Sequence, residues 1–175
     1  MARRPEGPPP APPVQRLRLH YAKRGRLRFS SHRDFQRAFE RALRRAGVPI
    51  AYSAGFSPHP KVSYAGAAPT GVASEAEYLE IALSLEQDPD EVRAALDAAL
   101  PPGLDVIEVV QAAPGTTLAD RLEASVYEAR LPGVDGAQAR AAVARLMAAD
   151  EVPIERMTKN GLRRSTPGAR WCRSR

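Results

Sequence analysis

Two histidines are the residues of this sequence best suited to chemistry. His32 lies where a helix is expected to begin, and His59 lies between two prolines in a loop. An imidazole titrates near neutral pH, so a histidine with little conformational freedom suits ligand contact or proton transfer. Asp34 and Glu75 are the carboxylates that we expect to complete a catalytic site with them. The plainer interpretation, which stays open, is that His59 bonds buried carbonyl groups and His32 caps or packs.

The loop around His59 is a second feature that could bind a ligand. Its residues Gly55, Phe56, Pro58 and Pro60 disfavour helix and most strand pairing. Aromatic residues on both sides of it are interleaved with basic ones, a mixture that could stack on unpaired bases while arginines hold phosphates. The aromatic residues are Tyr21, Tyr52, Phe56 and Tyr64. Core packing is the commoner role of such residues, and we favour it for Tyr21 and Tyr64.

Charge is sorted along the chain. Residues 15–61 carry twelve lysines and arginines against two acids, whereas residues 74–123 carry twelve acids against two arginines. The two halves could neutralise each other in the folded protein, or the basic half could face an anionic partner such as RNA. The side chains that we expect to contact an anion or RNA are Arg28, Arg33, Arg37, Arg41, Arg44 and Lys61.

Cysteine usage limits the cofactors that the chain could hold. Its one cysteine, Cys172, cannot form a disulfide framework or a cysteine-ligated zinc or iron–sulfur site within the chain. His32, His59 and a carboxylate lack the spacing that would favour a metal site, so we predict none. No stretch is long and apolar enough to cross a membrane. We therefore expect a cytoplasmic protein that binds no cofactor of its own.

The elements that position these residues predict an α+β fold. Apolar and polar residues alternate in the strand segments, and apolar residues recur every third or fourth position in the helices. Ser31 and Asp34 are suited to a capping box at the first helix, and Asp88 with Pro89 to the start of the second. The order strand, helix, strand, strand, helix, strand predicts a ferredoxin-like split βαβ unit over residues 15–113, with the His59 loop inserted. The predicted strands are 17–21 with a bent continuation through 26–29, then 48–52, 61–65, 77–85 and 104–111.

The remaining segments are interpreted from composition and periodicity. Residues 1–14 are rich in proline and predict a disordered tail. Residues 114–164 predict a partial second α/β unit, with strands at 125–130 and 152–157 and a helix at 137–147. We expect this unit to be incomplete, because residues 165–175 are an irregular basic tail without periodicity.

Three ordered blocks resemble the bacterial radical-SAM-linked proteins, a domain of unknown function (DUF2344). The resemblance implies an accessory protein encoded beside, or fused to, a radical S-adenosylmethionine enzyme, in gene neighbourhoods that carry an RNA-processing ribonuclease. It implies a radical SAM protein as partner, and the iron–sulfur cluster belongs to that partner. Arg33 stands where the family usually has leucine, and Ser57 where it has asparagine. The blocks are Lys23-Arg24-Gly25-Arg26-Leu27-Arg28-Phe29-Ser30-Ser31-His32-Arg33-Asp34, Arg41-Ala42-Leu43-Arg44-Arg45-Ala46-Gly47 and Gly55-Phe56-Ser57-Pro58-His59-Pro60-Lys61.

Three functions follow from these features. The leading one is an auxiliary, non-catalytic module that binds RNA or a radical SAM partner through the arginines and the His59 loop. A second is an enzyme that acts on a modified nucleotide or another anionic small molecule through His32 and His59. A third is a structural interaction protein, in which the basic and acidic halves pair and leave no basic surface.

Overall fold

The computed structural model describes residues 10–149, 151–159 and 161–165, and the chain divides into two units after Glu123. The first unit therefore includes residues 114–123, which the sequence pattern places in the second. Of the predicted N-terminal tail, residues 1–9 lie outside the described residues, and 10–14 hold no helix or strand. Of the predicted C-terminal tail, all but Ser165 lies outside them.

The sheet of the first unit is built on the alternation that the sequence predicts. Its strands are β1 (Gln15–Lys23), β2 (Val62–Tyr64), β3 (Ser74–Leu83) and β4 (Leu104–Gln111). They lie in the order β2-β3-β1-β4, and every neighbouring pair is antiparallel. Leu19 opposes Leu79 on one side and Val109 on the other, so the apolar residues of three strands share one face.

Two helices cover that apolar face. The first, α1 (His32–Arg45), begins with the predicted capping box, in which Ser31 and Asp34 bond reciprocally. The second, α2 (Pro89–Ala99), begins at Asp88, whose carboxylate accepts from the backbone N–H groups of Asp90 and Glu91. Both predictions are confirmed. The core shared by helices and sheet contains Phe35, Phe39, Leu43, Val92, Leu96, Leu17, Leu19, Leu79, Ile81 and Leu83.

Two predicted strands of this unit are wrong. The segment after β1 is a 3-10 helix, Gly25–Phe29, because Leu27 N and Ser30 N bond the carbonyl groups three residues before them. Two alternating apolar residues are too few to distinguish a strand from such a turn. Segment 48–52 forms single bridges at Ile50 and Tyr52 and no ladder, and Pro49 within it has no N–H to donate.

The second unit contains α3 (Gly136–Ala148) and a hairpin of β5 (Ile154–Thr158) and β6 (Gly161–Ser165). The helix and strand predicted at 137–147 and 152–157 are present with small shifts of their ends. The strand predicted at 125–130 is absent, and Val126 and Tyr127 there are 87% and 77% exposed. Apolar and polar residues alternate in this segment, but no strand among the described residues lies beside it to form a ladder.

The described chain is thus a mixed α+β protein with antiparallel sheets and three α-helices, which confirms the predicted class. Within the described residues, no helix has both the length and the apolar character that crossing a membrane requires.

Candidate nucleic-acid interface

One face of α1 carries a row of arginines, Arg33, Arg37, Arg41 and Arg44, which we call the arginine stripe. All four are exposed, whereas the opposite face of the helix buries its phenylalanines and Leu43. Successive members are three or four residues apart, so the stripe extends about 16 Å along the helix axis. This face has the regular spacing of positive charge that a polyanion could follow.

The acidic half of the sequence does not neutralise the stripe. No hydrogen bond or ion pair joins a stripe side chain to another group in the part of the chain that the structure describes. The arginines of and next to β1 are different, and their partners are acids on β3 and β4. Arg16 Nη1 and Arg18 Nε each lie 3.0 Å from a carboxylate oxygen of Glu80. Arg24 bonds Glu75 and also Asp105, the latter at 2.7 Å.

The other two predicted anion contacts lie outside α1. Arg28 is exposed at the 3-10 helix, and its guanidinium carbon lies 4.6 Å from the centre of the Phe29 ring. Lys61 is half-buried just before β2, where its backbone N–H donates to Ala51 O at 2.8 Å. Its side chain has no hydrogen-bond or ion-pair partner among the described residues.

The loop around His59, residues 53–60, is closed by its own backbone and is called the proline loop below. Ser53 N donates to His59 O at 2.8 Å, and His59 N donates to Ser53 Oγ at 3.0 Å. Gly55 has a φ of 128°, a conformation that glycine adopts without strain. His59 and Phe56 are exposed, and Phe56 is 67% exposed. The loop therefore holds these two rings, with Pro58, at the surface.

A cavity of about 230 Å³ joins the end of the stripe to the proline loop. Arg44 and Glu40 line it from α1, and Tyr52 and Pro60 line it from the other side. Tyr52 is 41% exposed, so its ring is available at the rim. Sequence reasoning named Arg44, Tyr52 and Pro60 separately but missed Glu40, whose helical spacing from Arg44 is the one signal that could have included it.

His32 has a different environment from His59. Its ring lies edge-on to Tyr64, with 4.9 Å between ring centres, and Gln36 Nε2 donates to its Nε2 at 3.1 Å. Burial, followed by the charge of Glu40, raises the pKa of Tyr64 to about 12. No hydrogen bond or ring contact joins His32 to His59 within the described residues, so a catalytic pairing of the two histidines stays a prediction.

The two candidate carboxylates have structural partners. Asp34 Oδ2 accepts from Ser31 Oγ at 2.6 Å, and the hydrogen bonds from Ser31 hold the pKa of Asp34 below its ordinary value. The hydrogen bonds from Arg24 likewise lower the pKa of Glu75. Both groups are thus ionised and already bonded near neutral pH. No group of three or more His, Cys, Asp and Glu side chains could hold a metal ion among the residues that the structure describes.

The fold and this surface define an α+β module in which an exposed arginine helix lies beside a proline-rich loop. The chain matches the model of a family described as an uncharacterized protein conserved in bacteria (DUF2344) over residues 16–167. The chain belongs to this family, and the match extends through both units. Among the curated proteins, no match to the chain was found.

Proposed function

We propose that this protein is an auxiliary module that binds single-stranded RNA along the arginine stripe, with the proline loop and Tyr52 contacting the bases. The observation that carries the proposal is that four exposed arginines on α1 form no hydrogen bond or ion pair with an acid among the described residues, while the arginines of and next to β1 do. Guanidinium groups that are not hydrogen-bonded within the protein can bond phosphate oxygens, and the counterions that they displace from RNA favour binding.

The cavity beside Arg44 supports the proposal that the bound RNA is unpaired. Base stacking on an exposed aromatic ring contributes about 1–3 kcal/mol per base in single-strand binding. Tyr52 lies at the cavity rim and Phe56 is exposed in the adjoining loop. The cavity of about 230 Å³ is below the roughly 300–1,000 Å³ that encloses a typical small molecule. It therefore suits one base of a longer strand better than a whole drug-sized molecule.

A radical SAM protein is the second partner in this proposal. The choice of this partner rests on the resemblance of the three sequence blocks to the radical-SAM-linked proteins. The sequence has one cysteine, so a cluster held by three cysteines would belong to the partner. The sparse cysteine also supports a cytoplasmic location. We further propose that the first unit is ferredoxin-like, since its strand order β2-β3-β1-β4 with two helices on one face is the arrangement expected of a split βαβ unit.

A salt series with matched variants tests the RNA proposal. The probe is a fluorescein-labelled single-stranded RNA of mixed sequence and about 16 nucleotides, the upper range of one single-strand-binding module. Fluorescence anisotropy with the full chain should give binding at about 50 mM salt that weakens steeply toward about 200 mM. Arg37→Gln with Arg41→Gln should weaken binding roughly tenfold or more, and should lower the log–log salt slope by about 1.4 for two lost phosphate contacts.

The control removes the same charge from another exposed helix face. Arg140→Gln with Arg145→Gln lies on α3, where both arginines are exposed. It should leave affinity and slope nearly unchanged, with far-UV circular dichroism confirming that both variants fold. No binding at low salt, salt-independent binding, or an equal loss in the two double variants would overturn the proposal.

A further inference from the structure

The face of the sheet away from the helices carries a second set of polar and aromatic side chains. Side chains alternate between faces along a strand, so the residues between and next to the buried leucines of β1, such as Arg18 and His20, lie on the opposite face. The register pairs His20 with Tyr78 and Arg18 with Glu80 across β1 and β3. It also places His20 opposite Glu108 on β4. This face is therefore distinct from the surface that carries the arginine stripe.

His20 and Tyr78 form a stacked pair at the centre of this face. Their ring centres are 4.8 Å apart and their planes differ by 16°. His20 Nε2 lies 2.6 Å from Glu75 O. Because a carbonyl oxygen only accepts, Nε2 carries the hydrogen, and this bond fixes both the tautomer and the orientation of the ring. The two central strands thus present an aromatic pair whose orientation is set before any ligand binds.

Residues 112–122 cover part of this face and border a cleft that is open to solvent. Leu118 in this segment is 9% exposed. Arg18 Nη2 donates to Thr116 O at 2.7 Å and to Thr116 Oγ1 at 2.9 Å, which ties the segment to β1. The resulting cavity of about 390 Å³ is within the roughly 300–1,000 Å³ of small-ligand sites. Its lining includes His20, Tyr78, Glu108, Leu118 and Arg121.

The lining chemistry points to one class of ligand. The aromatic pair and Leu118 suit the faces of a flat ring. The side chains of Glu108 and Arg121 have no hydrogen-bond or ion-pair partner among the described residues. A carboxylate can accept from two adjacent N–H groups, which guanine carries on one edge, and a free guanidinium can bond a phosphate.

We propose that this cavity binds a guanine base together with its phosphate. The base stacks on the outer face of the His20–Tyr78 pair, Glu108 accepts from its N–H edge, and Arg121 bonds the phosphate. The same chemistry could come from a free nucleotide or from one residue of a single-stranded RNA. The proposal does not rest on the arginine stripe, since the stripe lies on α1, which covers the other face of the sheet.

Isothermal titration calorimetry of the full chain with GMP, AMP and guanosine tests the site. GMP should bind more tightly than either AMP or guanosine, because only GMP offers both the paired N–H edge and the phosphate. Glu108→Gln should weaken GMP binding about tenfold and remove the preference over AMP. Arg121→Gln should reduce GMP binding to the level of guanosine. Glu86→Gln, an exposed acid that does not line the cavity, is the matched control and should leave binding unchanged.

Further measurements distinguish RNA from a free nucleotide as the source of the base. They also distinguish this proposal from that of the arginine stripe. Competition by a guanine-containing single-stranded RNA, but not by an oligouridylate, would assign the site to RNA. GMP binding without such competition would assign it to a free nucleotide. Arg37→Gln with Arg41→Gln should leave GMP binding intact. The result for GMP therefore does not depend on whether the arginine stripe binds RNA. No GMP binding at millimolar ligand, or the same affinity in the Glu108 variant, would overturn the assignment.

Discussion

Arg18 and Glu80 form an ion pair in which both side chains are largely withdrawn from water. Arg18 Nε lies 3.0 Å from Glu80 Oε2, and the two side chains are 12% and 9% exposed. Glu80 also accepts from Arg16 at 3.0 Å, but the Arg16 side chain is 61% exposed. The same carboxylate therefore makes one buried and one solvent-exposed contact, and their energies should differ.

Glu80→Leu should reduce the free energy of unfolding by about 3 kcal/mol, because it leaves the nearly buried charge of Arg18 without its carboxylate. Arg16→Ala removes only the exposed partner and should cost no more than about 1 kcal/mol. Urea denaturation of both variants measures the difference. Equal losses would show that burial of Arg18 does not matter.

The capping box at α1 predicts a pH-dependent contribution to stability. Ser31→Ala should lower the free energy of unfolding by about 1 kcal/mol, the usual cost of removing an N-cap. Asp34→Asn should also destabilise, and its effect should depend on pH. The folded pKa of Asp34 is below its unfolded value, so the contribution of the carboxylate is complete above the ordinary aspartate pKa. It is lost as the pH falls through the lowered pKa.

Thermal unfolding of wild type and Asp34→Asn across the acid range measures this effect. The difference in Tm should be largest near neutral pH and should shrink as the pH falls below the ordinary aspartate pKa. A difference in Tm that stays constant across the acid range would contradict this prediction, because it would mean that the charge of the Asp34 carboxylate does not contribute to stability.

Gly103 is required by a close backbone contact as well as by its φ of 95°. A Cβ at this position would lie 3.0 Å from Arg24 O, whose residue donates its own N–H to Gly103 O at 2.7 Å. Gly115 has a φ of 74° but open space around its Cβ position. Gly115→Ala should cost about 1 kcal/mol from backbone strain alone, and Gly103→Ala should cost more. Chemical denaturation of the two variants tests this order.

Arg24 should control the titration of Glu75. Its hydrogen bonds, followed by its charge, lower the pKa of that carboxylate. Carboxyl-detected NMR titration should give a Glu75 pKa below the ordinary glutamate value in wild type. Arg24→Ala should return it toward that value.

Arg26→Ala is the control for this titration, since Arg26 is exposed and its side chain has no bonded partner among the described residues. An unchanged Glu75 pKa in Arg24→Ala would contradict the assigned cause. A high Glu75 pKa in wild type would instead return this residue to the candidates for proton transfer.

Local sequence patterns determined most of the first unit. The caps at Ser31 and Asp88 act within one helical turn, and the alternation of Leu17, Leu19 and Tyr21 requires only that one face of a strand be buried. The arginine face of α1 follows from the same helical period that buries Phe35 and Phe39. These features depend on neighbouring residues and could be predicted without knowing their distant partners.

Tertiary structure alone decided which charges are neutralised and which rings meet. Arg18 and Glu80 are 62 residues apart, and Lys23, counted among the cations of the basic block, is buried with its ammonium 3.0 Å from Ala68 O. The pairing of His20 with Tyr78 also depends on strand register, which a charge count or an alternation does not encode. The sequence by itself therefore determined the helical arginine face and the family's motifs. The register between distant strands paired Glu80 with the arginines of β1 and brought His20 beside Tyr78 at the second cavity, because strand register sets which distant residues lie opposite each other.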